Sequence, residues 1–162
     1  MTTKKIKSPE QLKRIIAARK KRKEKIAFTN GCFDILHPGH ISYLEQASKK
    51  GDVFVVALNT DSSVRRIKGP LRPIMPLKDR QRVMAALECV DYITSFNEPT
   101  PLKIITMLKP NFIIKGADWK VKDIVGRDVV SAYGGKAIAI KYIKGYSTSD
   151  IINKIHWKSK KS

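Results

Sequence analysis

Apolar positions along this chain recur in two rhythms, helical and extended, that alternate from one end to the other. Leu12, Ile15 and Ile16 fall at helical spacing behind Ser8-Pro9-Glu10-Gln11. Ser8 reads as an N-cap, Pro9 as the first helical residue and Gln11 as the closing member of a capping box, which predicts a helix to about Lys21. A basic turn then leads to a strand over 25–30. Ile41, Leu44 and Ala47 mark the buried side of a helix over 41–49, with Tyr43 at its margin. Val53 to Leu58 is a continuous apolar run, as a parallel strand covered on both faces requires.

The alternation continues. Asp61 to Arg66 reads as a short helix, and 68–76, with three prolines and one glycine, as a mobile loop. A helix over 79–88 is expected to carry Val83, Met84 and Leu87 inward, followed by a strand over 91–95. Thr100-Pro101 starts a helix over 102–108 that Pro110 closes, and Phe112-Ile113-Ile114 is the fourth strand. A helix over 125–133 stops at Gly134-Gly135, and 136–140 is the fifth strand. Ser147-Thr148-Ser149 caps a last helix over 150–155 before a frayed basic tail. Strands alternating with helices define the α/β class, with a mainly parallel sheet and right-handed crossovers. One domain is expected over 1–162: a basic N-terminal helix to 24, a core over 25–155 and a tail over 156–162.

Composition narrows the class without naming it. At 162 residues the chain is long enough to bury a real core, and 42% hydrophobic with 29% charged residues is ordinary for a globular protein. No apolar run approaches the ~20 residues that span a bilayer, and the polar, basic N-terminus is unlike a secretory signal. Cys32 and Cys89 form neither a metal-type spacing nor a disulfide framework, so a reducing, cytoplasmic setting is the simplest expectation.

Charge changes the picture more. The formal net charge is +19, and residues 1–25 carry eleven Lys or Arg against two Glu. Such ends suit a polyanion, but no aromatics interleave with the basic run, and charge runs are usually solvated faces. Nucleic acid is therefore not the expected partner, although a basic nucleic-acid-binding module stays as the alternative of another class.

Asn30-Gly31-Cys32-Phe33-Asp34-Ile35-Leu36-His37-Pro38-Gly39-His40 is where the chemistry gathers. A strand, a tight turn and a helix start meet there. Pro38 suits the first helical turn and Gly39 lets a backbone or ligand come close. A helix N-terminus favours phosphate, and His37 and His40 add donors for charged oxygens. The strand ends also bring Asn59-Thr60-Asp61, Lys115-Gly116 and Ser147-Thr148-Ser149 to one edge, where open α/β sheets bind ligands. The glycine spacing of a Walker A loop or a dinucleotide-binding turn is absent. A metal site on His37 and His40 lacks the usual HExxH spacing.

Gly31-Cys32-Phe33-Asp34 with His37-Pro38-Gly39-His40 resembles the GxFD…HxGH signature of the cytidylyltransferase-like nucleotidyltransferases. Residues 29–155 resemble the heptose 1-phosphate adenylyltransferases, which occur free-standing or fused to a kinase. The further matches are Leu58 to Asp61, Lys68-Gly69, Arg72-Pro73, Lys115 to Trp119 and Gly145 to Ser149. The resemblance implies a Rossmann-like nucleotidyltransferase fold, with five parallel strands in the order 3-2-1-4-5 and helices on both faces. It implies transfer of AMP from ATP to D-glycero-β-D-manno-heptose 1-phosphate for lipopolysaccharide core synthesis, with Mg²⁺ on the phosphates and a homodimer as the assembly. No kinase-like segment is read ahead of the domain, so the sugar is expected to arrive already phosphorylated.

The resemblance also assigns roles. His37 and His40 are catalytic, and Lys68, with Arg65, grips the acceptor phosphate. Gly31, Cys32, Phe33, Gly39, Lys115, Gly116, Tyr146, Ser147, Thr148 and Ser149 hold the nucleotide. Asp34, Asn59, Asp61, Arg65, Asp118 and Trp119 face the sugar phosphate. Read as residues alone, Ser147 to Ser149 are equally a helix cap, Asp34 and Asp118 equally turn caps, and Trp119 equally a packing residue. Where the glycerol-3-phosphate cytidylyltransferases carry Arg-Thr, this chain has Tyr142-Ile143, which turns the reading away from cytidine.

Overall fold

The computed structural model describes residues 2–116, 120–141, 143 and 145–159, the side chains of Thr2 and 156–159 apart. Five strands form one parallel sheet: β1 (Ile26–Gly31), β2 (Val53–Asn59), β3 (Tyr92–Phe96), β4 (Phe112–Gly116) and β5 (Lys136–Ile140). Their order, β3-β2-β1-β4-β5, matches the expected one. The helices are α1 (Pro9–Lys21), α2 (Pro38–Ser48), α3 (Asp61–Lys68), α4 (Leu77–Ala85), α5 (Leu102–Leu108), α6 (Arg127–Ser131) and α7 (Thr148–Ser159).

β2 is buried at all seven positions, because helices cover both its faces. On one side Leu12 and Ile16 of α1 and Ile104, Ile105 and Leu108 of α5 pack on Phe28, Val55 and Ile113. On the other, Tyr43, Leu44 and Ala47 of α2 and Met84 and Ala85 of α4 pack on Phe54, Val56 and Ile114. Ser8 caps α1 as its sequence predicts: its Oγ accepts from the Gln11 N–H, and its own N–H donates to Gln11 Oε1. Residues ahead of α1 cover the outer side of β3, with Ile6 bridging Ile93 in parallel and the Lys7 N–H donating to the Ile93 carbonyl at 2.8 Å.

Several expectations need correction. Tyr43 is buried, not marginal, because its hydroxyl lies 2.7 Å from Thr29 Oγ1 and donates to the Ile114 carbonyl at 2.9 Å. Val83 points outward at 40% exposure, and Arg80 takes the interior position of α4 instead. Thr100 makes no cap; Pro101 is the N-cap of α5 and makes no side-chain bond. The helix expected over 125–133 shortens to α6 because Gly126 is left-handed, with φ 88°. A Cβ there would stand 2.9 Å from Ile105 Cδ1, so space as well as backbone requires glycine.

Among described residues, three that are not glycine also have positive φ: Lys23, Phe33 and Lys109. Such backbone costs an L side chain about 1–2 kcal/mol.

Candidate functional site

At the C-terminal ends of β1 and β4 the sheet opens into a cleft of about 540 Å³, bordered by the signature turn, the α3 end, the 69–76 loop and the start of α7. Local sequence builds its first wall. β1 ends at Gly31, Phe33 turns the backbone with φ 44°, and Pro38 opens α2. His37 is the N-cap: its Nδ1 accepts from the His40 N–H at 3.2 Å. That bond orients the ring of His37, and the i,i+3 spacing lays His40 beside it on the same face. The rings stack 3.8 Å apart at 19°, while Phe33 tilts against His40 at 5.3 Å. Gly39 keeps the space between them tight, since a Cβ would stand 3.1 Å from both His37 Nδ1 and Tyr146 Cβ.

Both imidazoles are held toward the neutral form. Burial lowers the pKa of His37, and burial followed by the neighbouring His37 pushes His40 down to about 4. His40 Nδ1 and Asn30 Oδ1 are buried without hydrogen-bond partners. Lys115 reaches across from β4 and donates to the Asn30 carbonyl at 2.8 Å. On the far side, Ser147 Oγ accepts from the Asp150 N–H and Thr148 Oγ1 donates to the Ile35 carbonyl, which joins the start of α7 to the signature turn. Ser147 is thus a helix cap, and Ser147, Thr148 and Ser149 all line the cleft.

The opposite wall is a network of charges. Asp34 is buried, and its carboxylate accepts from Arg72 Nε at 2.6 Å and from the Ile74 and Met75 N–H groups at 2.9 and 2.8 Å. Burial raises its pKa, but the two amides and the guanidinium outweigh burial and hold it below the usual carboxylate range. Arg80, 1% exposed, donates to the carbonyls of Cys32, Asn59 and Met75 and to Asp61 Oδ1 at 2.7 Å. One guanidinium therefore ties the signature turn, the end of β2 and the 69–76 loop together. The loop expected to be mobile is pinned at its second half by Asp34 and Arg80.

Most expected site residues meet here. Gly31, Cys32, Phe33, Asp34, His37, His40, Lys68, Lys115, Gly116, Tyr146, Ser147, Thr148 and Ser149 line the cleft, and Gly39 lies beneath His37 and Tyr146. Lys68 ends α3 rather than opening a loop. Asn59, Asp61 and Arg65 are not among the residues that line it. Asn59 is buried and donates to Ser63 Oγ, Asp61 pairs with Arg80, and Arg65 is an exposed residue of α3. Asp118 and Trp119 lie outside the described residues. Burial raises the Cys32 pKa, so its thiol is no ready nucleophile.

Sequence reading missed Arg72 and Arg80. Arg72 stood inside a matched Arg-Pro pair without a role, and Arg80 looks like one more charge on a polar helix. Among the described residues no three His, Cys, Asp or Glu side chains converge to hold a metal ion.

A parallel α/β sheet with a histidine-bearing helix start at its C-terminal edge defines a nucleotidyltransferase-type domain. Residues 28–159 match the model of the cytidylyltransferase-like family, and the chain belongs to that family. It is 48% identical over 151 residues to the bifunctional protein HldE of Trichlorobacter lovleyi, covering 93% of this chain and 31% of that protein. The bifunctional protein HldE of Pasteurella multocida is 49% identical over 150 residues, covering 93% and 32%. The chain thus spans about a third of the length of the curated relatives it matches. Among solved structures, a lipopolysaccharide core biosynthesis protein from Thermoplasma volcanium aligns with a TM-score of 0.62 and 29% identity, over 76% of this chain and 99% of that one. A pantoate-beta-alanine ligase from Francisella tularensis, solved with an ATP analogue and beta-alanine, shares the fold at a TM-score of 0.59 and 19% identity, over 93% and 77%.

Proposed function

We propose that this domain transfers AMP from ATP to D-glycero-β-D-manno-heptose 1-phosphate, releasing pyrophosphate and ADP-heptose for lipopolysaccharide core synthesis. The observation that carries the reading is the stacked His37–His40 pair at the start of α2, facing Lys68, Lys115 and the start of α7 across one cleft. The resemblance to heptose 1-phosphate adenylyltransferases and the likeness to a lipopolysaccharide core biosynthesis protein support the choice of sugar.

A sugar 1-phosphate is already an ionised nucleophile, so no general base has to create it. Its oxygen attacks the α-phosphorus of ATP, and the bond to the β-phosphate oxygen breaks as pyrophosphate leaves. Catalysis reduces to alignment and to stabilising charge on the phosphoryl oxygens. Neutral His37 and His40 offer N–H donors at a helix N-terminus, where each step toward the transition state adds negative charge to receive them. Lys68 grips the acceptor phosphate, and Arg72, steered by Asp34, borders the same side of the cleft.

Mg²⁺ is proposed to arrive on the ATP phosphates. That fits a donor set in which Asp34 is already spent on three hydrogen bonds, since Mg²⁺ commonly rests on phosphate oxygens and water. Bound there, it would neutralise phosphate charge. A homodimer and a cytoplasmic site of action follow from the family resemblance; no helix among the described residues is long and apolar enough to cross a membrane.

Pyrophosphate release in the presence of Mg²⁺ tests the reading, with ATP or CTP offered against heptose 1-phosphate or glycerol 3-phosphate. Release with ATP and the heptose phosphate alone is expected. Release with CTP alone moves the enzyme to the cytidylyl branch.

A further inference from the structure

At the other edge of the sheet, where the strands begin, a second cleft of about 630 Å³ is lined by Lys20, Lys23, Lys25, Lys109, Asn111 and Tyr133. Its one acid, Glu24, is committed to Arg19 at 3.3 Å. Among the described residues no carboxylate pairs with the four lysines. Lys20 is drawn into the floor, where its Nζ donates to the carbonyls of Leu108 and Lys109. Burial, and then the charge of Lys109, lower its pKa. The rest of the floor is fixed: Asn111 Oδ1 accepts from the Ile26 N–H at 2.8 Å, and the Tyr133 hydroxyl donates to the Pro110 carbonyl at 3.1 Å.

Two of these lysines stand on left-handed backbone, Lys23 at φ 64° and Lys109 at φ 48°. Glycine would take either position without strain. Among the described residues the one other non-glycine with positive φ is Phe33, which lines the histidine cleft. Strained non-glycine backbone is therefore confined to the walls of these two clefts. Both positions close helices, Lys23 after α1 with its N–H on the Lys20 carbonyl and Lys109 after α5 with its N–H on the Ile105 carbonyl, and these turns set the two side chains on the cleft wall.

We propose that this lysine cleft is a second anion site, which takes a small free polyphosphate. Like charges gathered around one cleft, Lys20 half-buried and Lys23, Lys25 and Lys109 exposed, repel until an anion of several charges sits among them. Lysine ammoniums serve phosphate as point charges, without the planar fork that arginine offers a carboxylate. A nucleic-acid strand fits less well: Tyr133 is the sole aromatic, its hydroxyl is tied down, and no stacking series adjoins it. The site is separate from the histidine cleft, so it stands whichever nucleotide is transferred there.

The test uses the full chain and inorganic tripolyphosphate, followed by amide NMR shifts at low salt. Two groups of shifts are expected, one at Gly31 to His40 and one at Lys20 to Lys25 with Lys109 to Asn111. The double variant Lys23→Gly with Lys109→Gly removes two charges and the strain together. It should lose the second group, weakening that site about tenfold or more, while its thermal midpoint holds or rises and pyrophosphate release is unchanged. The proposal is overturned if wild type shows no second group, or if the double variant keeps it at the same dissociation constant. It also fails if a single-stranded oligonucleotide shifts this face while tripolyphosphate does not.

Discussion

One wall of the histidine cleft, built on Asp34, Arg72 and Arg80, has its carboxylate and both guanidiniums in ion pairs, whereas the other, built on Asn30, His37 and His40, keeps polar atoms without partners. The two walls share one turn of chain, yet their energetics are opposite. Each buried atom without a partner, such as His40 Nδ1, costs about 1–3 kcal/mol until something bonds it. Each bond from Arg80 instead holds a segment that borders the cleft. The contrast separates two jobs: paired charges fix the shape, and unpartnered neutral polar atoms are left to bond a ligand.

Mutations can break this contrast. The largest effect is expected from Arg80→Met, which leaves the Cys32, Asn59 and Met75 carbonyls and the Asp61 carboxylate short of a donor. Losing one partner of a buried ion pair costs about 3–5 kcal/mol, read as a lowered urea midpoint. On the opposite wall, His40→Ala should cut pyrophosphate release about 10²–10³-fold while the unfolding free energy from urea titration changes by about 1 kcal/mol or less. If both variants lose stability alike, the division of labour is wrong.

Acid sharpens the same point. A folded pKa of about 4 for His40 lies below the unfolded value of 6.5, so the unfolded chain binds more protons between them. Stability should therefore fall as pH drops from about 7 toward 4, by at most about 3 kcal/mol from this group. His37 adds to the fall, since its pKa is lowered as well. Asp34 acts only at lower pH, because its stabilising charge is lost as pH falls through a pKa already below 3.8. Thermal melts of wild type and His40→Gln should lie close near neutrality and separate toward pH 4, as the wild type loses stability that the variant keeps. The smallest effect is Gly39→Ala: the added methyl presses on His37 and Tyr146, so KM for ATP should rise about tenfold with little change in fold.

What the sequence could show follows the same division. Binary patterning placed the five strands, and the HxGH spacing placed the histidines, because local periodicity and helix-start chemistry are written in neighbouring residues. Arg80 was not legible, since its four partners lie 5 to 48 residues away and a charged residue on a polar helix predicts solvent. Asn59 and Asp61 stand at the right strand end but outside the cleft lining, Asn59 bonded to Ser63 and Asp61 paired with Arg80. Val83 and Tyr43 failed for a related reason: helical phase in a short window does not say which neighbour a side chain meets.

Covering β3 with Ile6 and Lys7 has a consequence for self-association. With that side occupied, β5 is the sheet edge left for strand addition among the described residues. Two copies meeting there about a two-fold axis would run antiparallel. Lys136 at the start of the strand would then face the Lys141 that follows its end, and the like charges would resist the contact. Like charges at both ends of the strand therefore disfavour sheet-to-sheet growth through this edge.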